Sequence, residues 1–349
     1  MLRLNRESLL ARARRACSLF LLIATMPLLA AGIARADDPS LTVTIGVLWE
    51  GEPLSAANRE AIAAFRNRFE AVKVVHFISP VYFTRNHKDV RSRETAIQQM
   101  RELVGRSDLA GVYLNGWKSV TEAANVSFKN GPTFWGNRLT VKSCIDDCGR
   151  EVLMNAYPAT DLRKIIKKSR QLFARNSFGD GRLMKVAGHA ASPELLAAAA
   201  AEGITHDFSA IAPDHYAGRL FRFPLMANIK ELWAGVGVTM RPFTLNTGND
   251  RITQMTANGL ALEVASQEDI LASLDRIAGT TAAPLTESGR HLFVSVPMET
   301  MAVTAPKLEL AVQEIFRRSS EQKFAVKWFA DATSDVSGNK PKDKLDTAH

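Results

Sequence analysis

TVTIGVLWEGEPLSAANREAIAAFRNRFEAVKVVHFIS, residues 42–79, decides the fold. TVTIGVLW (42–49) is short, apolar and β-branched, which reads as a buried strand. SAANREAIAAFRNRF (55–69) carries a helical pattern, and VKVVHFIS (72–79) is a second buried strand. A strand, a helix and a strand in this order imply parallel pairing, because a parallel crossover needs a covering element of about a dozen residues.

The alternation continues outward. A helix across 90–104 leads to LAGVYLNGW (109–117), an apolar strand that ends at Tyr113 and Asn115 on one face while Leu114 points away. An interruption over about 117–158, rich in Gly, Pro and Asn, is long for a strand-to-helix connection. The helix ATDLRKIIKKSRQLFARN, the strand MKVAG (184–188) and a helix with Ser192 as N-cap, Pro193 at its first position and Gly203 past its end come next. Further strands are expected at THDFSA (205–210) and near 236–243, 260–264 and 292–296, with helices at 267–278 and 306–319. KFAVKWFA suits an edge strand. The expected architecture is a distorted (β/α) barrel of about seven or eight strands over 37–333, with its site at the C-terminal strand ends.

Both ends read differently. Residues 1–36 have a basic start, an apolar stretch from Cys17 to Ala34 and the small-x-small sequence Ala34-Arg35-Ala36, the pattern of a signal peptide on the general secretory route. An uncleaved anchor is the competing reading, opposed by Pro27 and by a run at the lower edge of a spanning length. The expected product is exported, periplasmic or secreted, with no membrane span after cleavage. Residues 334–349 form a polar tail expected to be disordered. Without residues 1–36 the charge falls from +8 to +3, from 38 basic and 35 acidic side chains, so the basic balance does not argue for a nucleic-acid partner. Cys144 and Cys148, four apart in SCIDDCG, most simply form a local disulfide in an oxidising compartment; a metal site using Asp146 and Asp147 is the weaker alternative.

Four stretches resemble one branch of the polysaccharide-deacetylase (NodB-like) family: GWKSVTEAANVSFKNGPTFWG (116–136), CGREVLMNAYPATDLRKIIKKSR (148–170), MKVAGHAASPELLAAAAAEGITHDFSA (184–210) and METMAVTAPKLELAV (298–312). The resemblance implies a barrel with a divalent metal, zinc or a harder ion, that polarises an acetyl carbonyl and activates water. Each chemical station differs here. Glu50, with Glu52 beyond it, stands where the family tends to carry an Asp-Asp pair; Tyr113 and Asn115 replace the two metal histidines; Lys185 replaces an arginine, His189 an aromatic wall, and Pro297 the histidine before Glu299-Thr300. Asn and neutral Tyr are poor zinc ligands.

The leading expectation is therefore a deacetylase-like protein without metal-dependent activity, which binds a cell-envelope glycan, or an envelope protein partner, at the old cleft. The alternative is an active N- or O-deacetylase with an atypical site, which alone would call for a zinc-type ion. A third reading is metal-free hydrolysis by Glu50 with His189 or Glu299. The catalytic candidates are Glu50 and His189. Trp49, Tyr113, Asn115, Trp117, Trp135, Asp207 and Glu299 are the substrate-binding candidates; tryptophans here are expected either as sugar-stacking walls or as core, and Asp207 as a residue that caps or orients the cleft. His76 is expected to be a satisfied core residue.

Overall fold

The computed structural model describes residues 38–85, 90–136, 144, 147–214, 224–259 and 261–332. The proposed signal segment and polar tail lie outside these residues.

β1 (Ser40–Trp49), next to one edge of a curled sheet, has all but one of its residues buried. It pairs in parallel with β2 (Val74–Ile78) on one side and β8 (Arg290–Pro297) on the other. Outward from β2 follow β3 (Leu109–Leu114), β4 (Leu183–Val186) and β5 (His206–Asp207), all parallel, then the antiparallel hairpin β7 (Asp250–Gln254) and β6 (Phe243–Thr247). β9 (Ala325–Trp328) pairs with the first half of β1. The parallel frame is the expected one. The hairpin differs from the single strand expected near 236–243, since β6 starts only at Phe243; Gly248 and Asn249 turn it, with Gly248 at a positive φ of 74°.

Helices cover the outer face: α1 (Ala56–Arg68), α2 (Val81–Thr84), α3 (Val90–Leu103), α4 (Lys118–Ala123), α5 (Ala159–Arg175), α6 (Pro193–Ala201), α7 (Leu225–Leu232), α8 (Gln267–Ala278), α9 (Met301–Gln322) and α10 (Phe329–Ala332). Ser192 caps α6 by accepting from the Leu195 amide, and Ser266 forms a reciprocal capping box with Asp269 at α8. The main core lies between sheet and helices.

A second, smaller core fills the barrel interior with Phe77, Phe208, Phe293, Phe329, Val75 and Met255. Phe77 and Phe208 meet edge to face at 5.0 Å. Gly46 allows this packing, because a Cβ there would stand 2.6 Å from the Phe293 ring. The interior is thus plugged, and a ligand can enter only at the C-terminal rim. Residues 255–259 and 261–262 lie between the β5/β7 side and β8. The Met255 amide donates to the Asp207 carbonyl, Asn258 bonds both His291 and Phe293 backbone groups, and the Leu262 amide donates to the Ser295 carbonyl. Instead of a strand over 260–264, only a parallel bridge at Ala261 is formed.

Candidate functional site

The rim site is built around Glu50, the first residue after β1. Its backbone is fixed from three directions: the Asn115 side-chain amide and the Trp117 indole each donate to its carbonyl at 2.9 Å, and its amide donates to Glu299 Oε1 at 2.8 Å. The carboxylate, held on this frame, accepts from the Tyr113 hydroxyl at 3.0 Å and pairs with Arg150 at 3.3 Å. Arg150 also reaches Glu52 at 3.2 Å. Burial, then the charge of Glu50, hold the Tyr113 hydroxyl well above its ordinary range, so it stays protonated and donates.

Tyr113 and Asn115 do different work although both end the same strand. Tyr113 points into the barrel with its inner core. Asn115 is buried, accepts from the Ser79 hydroxyl at 2.8 Å and holds the Glu50 backbone. Both side chains are therefore engaged within the protein.

The other half of the rim is more enclosed. Lys185 pairs in register with Tyr113 and is buried, its ammonium donating to the Phe208 carbonyl at 3.1 Å and lying 3.4 Å from His189 Nδ1. Burial outweighs the neighbouring carboxylates and brings its pKa down to about 8. Burial, and then Lys185, push His189 well below the usual histidine range. His189 Nδ1 lies 3.0 Å from the Ser209 carbonyl, and its own carbonyl accepts from Trp233. Asp207 is fully buried, accepts from the Ser209 hydroxyl at 2.7 Å, and is raised to about 6 by burial. It fixes the segment just after β5 from within, while the Ser209 hydroxyl accepts from the Val186 amide at the end of β4.

Among the tryptophans, Trp49 is buried in the outer core, its indole donating to His76, which in turn contacts Asp108 at 3.2 Å. Trp117 is also buried, beneath the Arg85 guanidinium. Trp135 is half exposed and lines a cavity of about 390 Å³ with Phe134, Glu52 and Arg150. Phe134 packs on Gly188, whose φ of 61° and lack of a Cβ allow an approach that a side chain would meet at 2.8 Å. The floor of this cavity is set by the Cys144–Cys148 disulfide loop. Asp147 is engaged in that loop's attachment, accepting from the Ser119 amide and hydroxyl at the start of α4.

Two contributors were not anticipated from the sequence. Arg150 follows the disulfide, and nothing but its place in that loop signals its reach to Glu50. Glu263 follows the Ala261 bridge beside β8, at the rim, where its charge acts on Glu50, Arg150 and Lys185. Position after a strand-like segment could have flagged it. Surrounding protein and the like charge of Glu50 raise Glu263 to about 7, with solvent on its exposed side chain screening the effect. Burial and Glu50 likewise raise Glu299 to about 7, and its second oxygen, Oε2, is a buried acceptor without a hydrogen-bond partner among the described residues.

A catalytic metal does not fit this donor set. Asn115 is bonded on both its oxygen and its nitrogen, and Tyr113 is held protonated. Among the described residues no three His, Cys, Asp or Glu side chains converge to hold an ion.

The chain is similar to several solved structures. One is a family 4 carbohydrate esterase from Streptomyces lividans in complex with acetate (9% identity over 82% of this chain and 91% of that chain, TM-score 0.38). A second is a Mycobacterium smegmatis protein assigned as a polysaccharide deacetylase (8%, 87% and 92%, TM-score 0.49). A third is a pseudoenzyme of carbohydrate esterase family 4 from Bacillus anthracis (8%, 85% and 66%, TM-score 0.36). At these identities the likeness concerns architecture, and the same group of matches includes a 4-alpha-glucanotransferase from Thermococcus litoralis (10%, 85% and 40%, TM-score 0.45). No protein-family model and no curated protein matches the chain. No helix of the described residues is long and apolar enough to cross a membrane.

Proposed function

We propose that this is an exported deacetylase-like protein that holds a cell-envelope glycan at the barrel rim without metal-dependent deacetylation. The observation that carries the reading is the fixed Glu50–Tyr113–Arg150 cluster in place of a metal centre, beside a cavity with the half-exposed Trp135. Carboxylate, hydroxyl and guanidinium groups bond sugar hydroxyls, and an indole face stacks on the apolar face of a pyranose ring. Export rests on the sequence of residues 1–36 alone.

One observation favours an alternative, an active carbohydrate deacetylase or hydrolase with an atypical site: Glu263 and Glu299 both titrate near neutrality beside Glu50, as acid–base groups do. Calorimetric titration with chitin, peptidoglycan and exopolysaccharide fragments, with acetate release measured in parallel, separates the two. The proposal expects saturable binding that Tyr113→Phe weakens, with no acetate formed. Acetate release that Glu50→Gln abolishes would establish the alternative, and absence of binding across the panel would remove the glycan reading.

A further inference from the structure

We propose that an apolar cavity between α6 and the edge strand β6 is a second binding site, which takes the hydrocarbon chain of a long-chain fatty acid with its carboxylate at Arg241. The site stands apart from the rim and does not depend on the glycan-binding reading.

The cavity follows from how the sheet ends. β6 is an edge strand, and its alternation half-buries Phe243 and Leu245 on one face while Thr244 and Asn246 are exposed. Leu196 of α6 stands opposite, and Leu232, Trp233 and Val236, at the end of α7 and in the turn after it, close the side. The enclosed volume is about 900 Å³, a size typical of small-molecule sites.

Shape decides what such a space holds. Leu196 and Trp233 line it although they are only 4% and 5% exposed, and none of its large apolar side chains stands out into solvent. A flat protein face cannot reach recessed side chains, whereas a flexible hydrocarbon chain can enter, leave water and gain dispersion contacts along its length. The one polar atom of Trp233 is already satisfied, its indole N–H donating to the His189 carbonyl at 2.8 Å, so the ring offers the cavity only apolar surface.

Charge decides the head group. Among the described residues that line the cavity, Arg241 alone is charged. Its guanidinium pairs with Glu287 at 2.6 Å, but both side chains are more than half exposed and Glu287 is not part of the lining. An exposed pair of this kind is worth little, and a guanidinium has five donors, so a ligand carboxylate at the mouth can share or take it. A hydrocarbon cavity with a single cation at its edge complements a molecule with one anionic end and an apolar remainder.

The test is calorimetric titration of the delipidated mature protein with saturated fatty acids of eight to sixteen carbons, kept below their micelle concentrations, and with their methyl esters. One site per chain is expected, with affinity rising about threefold to fourfold per added methylene until the chain outgrows the cavity. A brominated chain should quench tryptophan fluorescence, and Trp233→Phe should remove most of that quenching. Arg241→Gln should weaken the acids several-fold and leave the methyl esters unchanged. Gly235 lines the cavity and a Cβ there meets nothing within 4 Å, so Gly235→Phe should abolish binding at an unaltered melting temperature. Saturable binding that Gly235→Phe leaves intact, or no saturable binding by any chain length, would overturn the site. Equal affinity for acids and esters would overturn the role of Arg241. A concentration-dependent dimer in sedimentation, dispersed by Gly235→Phe and indifferent to fatty acids, would assign the cavity to a second copy of the chain instead.

Discussion

The two halves of the barrel rim use their polar strand-end residues in opposite ways. On the β1–β3–β8 half, Asn115, Trp117 and Glu299 grip the backbone of Glu50 and leave its carboxylate to Tyr113 and Arg150, the latter lining the Trp135 cavity. On the β4–β5 half, Lys185, His189 and Asp207 bond to nearby carbonyls and hydroxyls, and serve the sheet rather than the cleft. Polar residues at strand ends are therefore not equivalent. What distinguishes them is whether a hydrogen-bonding group remains turned to the cavity once the backbone has been satisfied.

The substitution expected to disturb this contrast most is Asn115→Leu. It removes the partner of the buried Ser79 hydroxyl and one of two donors to the Glu50 carbonyl. A loss of about 2–4 kcal/mol in urea unfolding is expected, at roughly 1–3 kcal/mol per unsatisfied buried group. A change within a few tenths would mean that Asn115 does not hold this half together.

Lys185→Met probes the other half. Lys185 has its folded-state pKa lowered to about 8 from an unfolded 10.5, so the unfolded chain binds more protons between these values and stability rises with pH across about 8 to 10.5. Below about 8 the buried ammonium is a constant cost. The variant should be as stable as the parent or up to about 2 kcal/mol more stable at pH 7, and should lose the alkaline rise. A strongly destabilised variant would give Lys185 a role in the cleft half instead.

Tyr113→Phe sharpens the difference within one strand. It removes a single bond to Glu50 while keeping the ring in the inner core. Stability should change by no more than about 1 kcal/mol, while affinity for the bound glycan falls by roughly five- to tenfold. Equal affinity would place the ligand away from Glu50.

The smallest effect concerns Glu299. Its folded pKa of about 7 lies above the unfolded 4.5, so the folded state binds more protons in that window and stability declines as pH rises through it. Glu299→Gln keeps an acceptor for the Glu50 amide and should flatten that decline by about 1 kcal/mol or less in thermal melts at pH 5 and pH 7, the linkage being reduced by solvent at the partly exposed side chain.

The parallel frame was legible because buried β-branched runs and capped helices announce themselves locally; α8 spans the 267–278 expected from its pattern. The β6–β7 hairpin was missed although Gly248-Asn249 is a hairpin signal, because β6 alternates without a strongly apolar face. His76 is a satisfied core residue, as its apolar setting indicated. The convergence on Glu50 lay partly beyond sequence, since hydrogen bonds across 63 to 249 residues leave no local trace. Strand alternation gives the facing of Tyr113; it does not reveal that Asn115, past the last paired residue, turns to the backbone.

Metal analysis of the protein, purified without chelator and re-equilibrated with zinc, tests the central claim most directly. The account predicts far less than one divalent ion per chain after desalting, in the parent and in Tyr113→Phe alike. One tightly held ion per chain, lost in Tyr113→Phe, would contradict it.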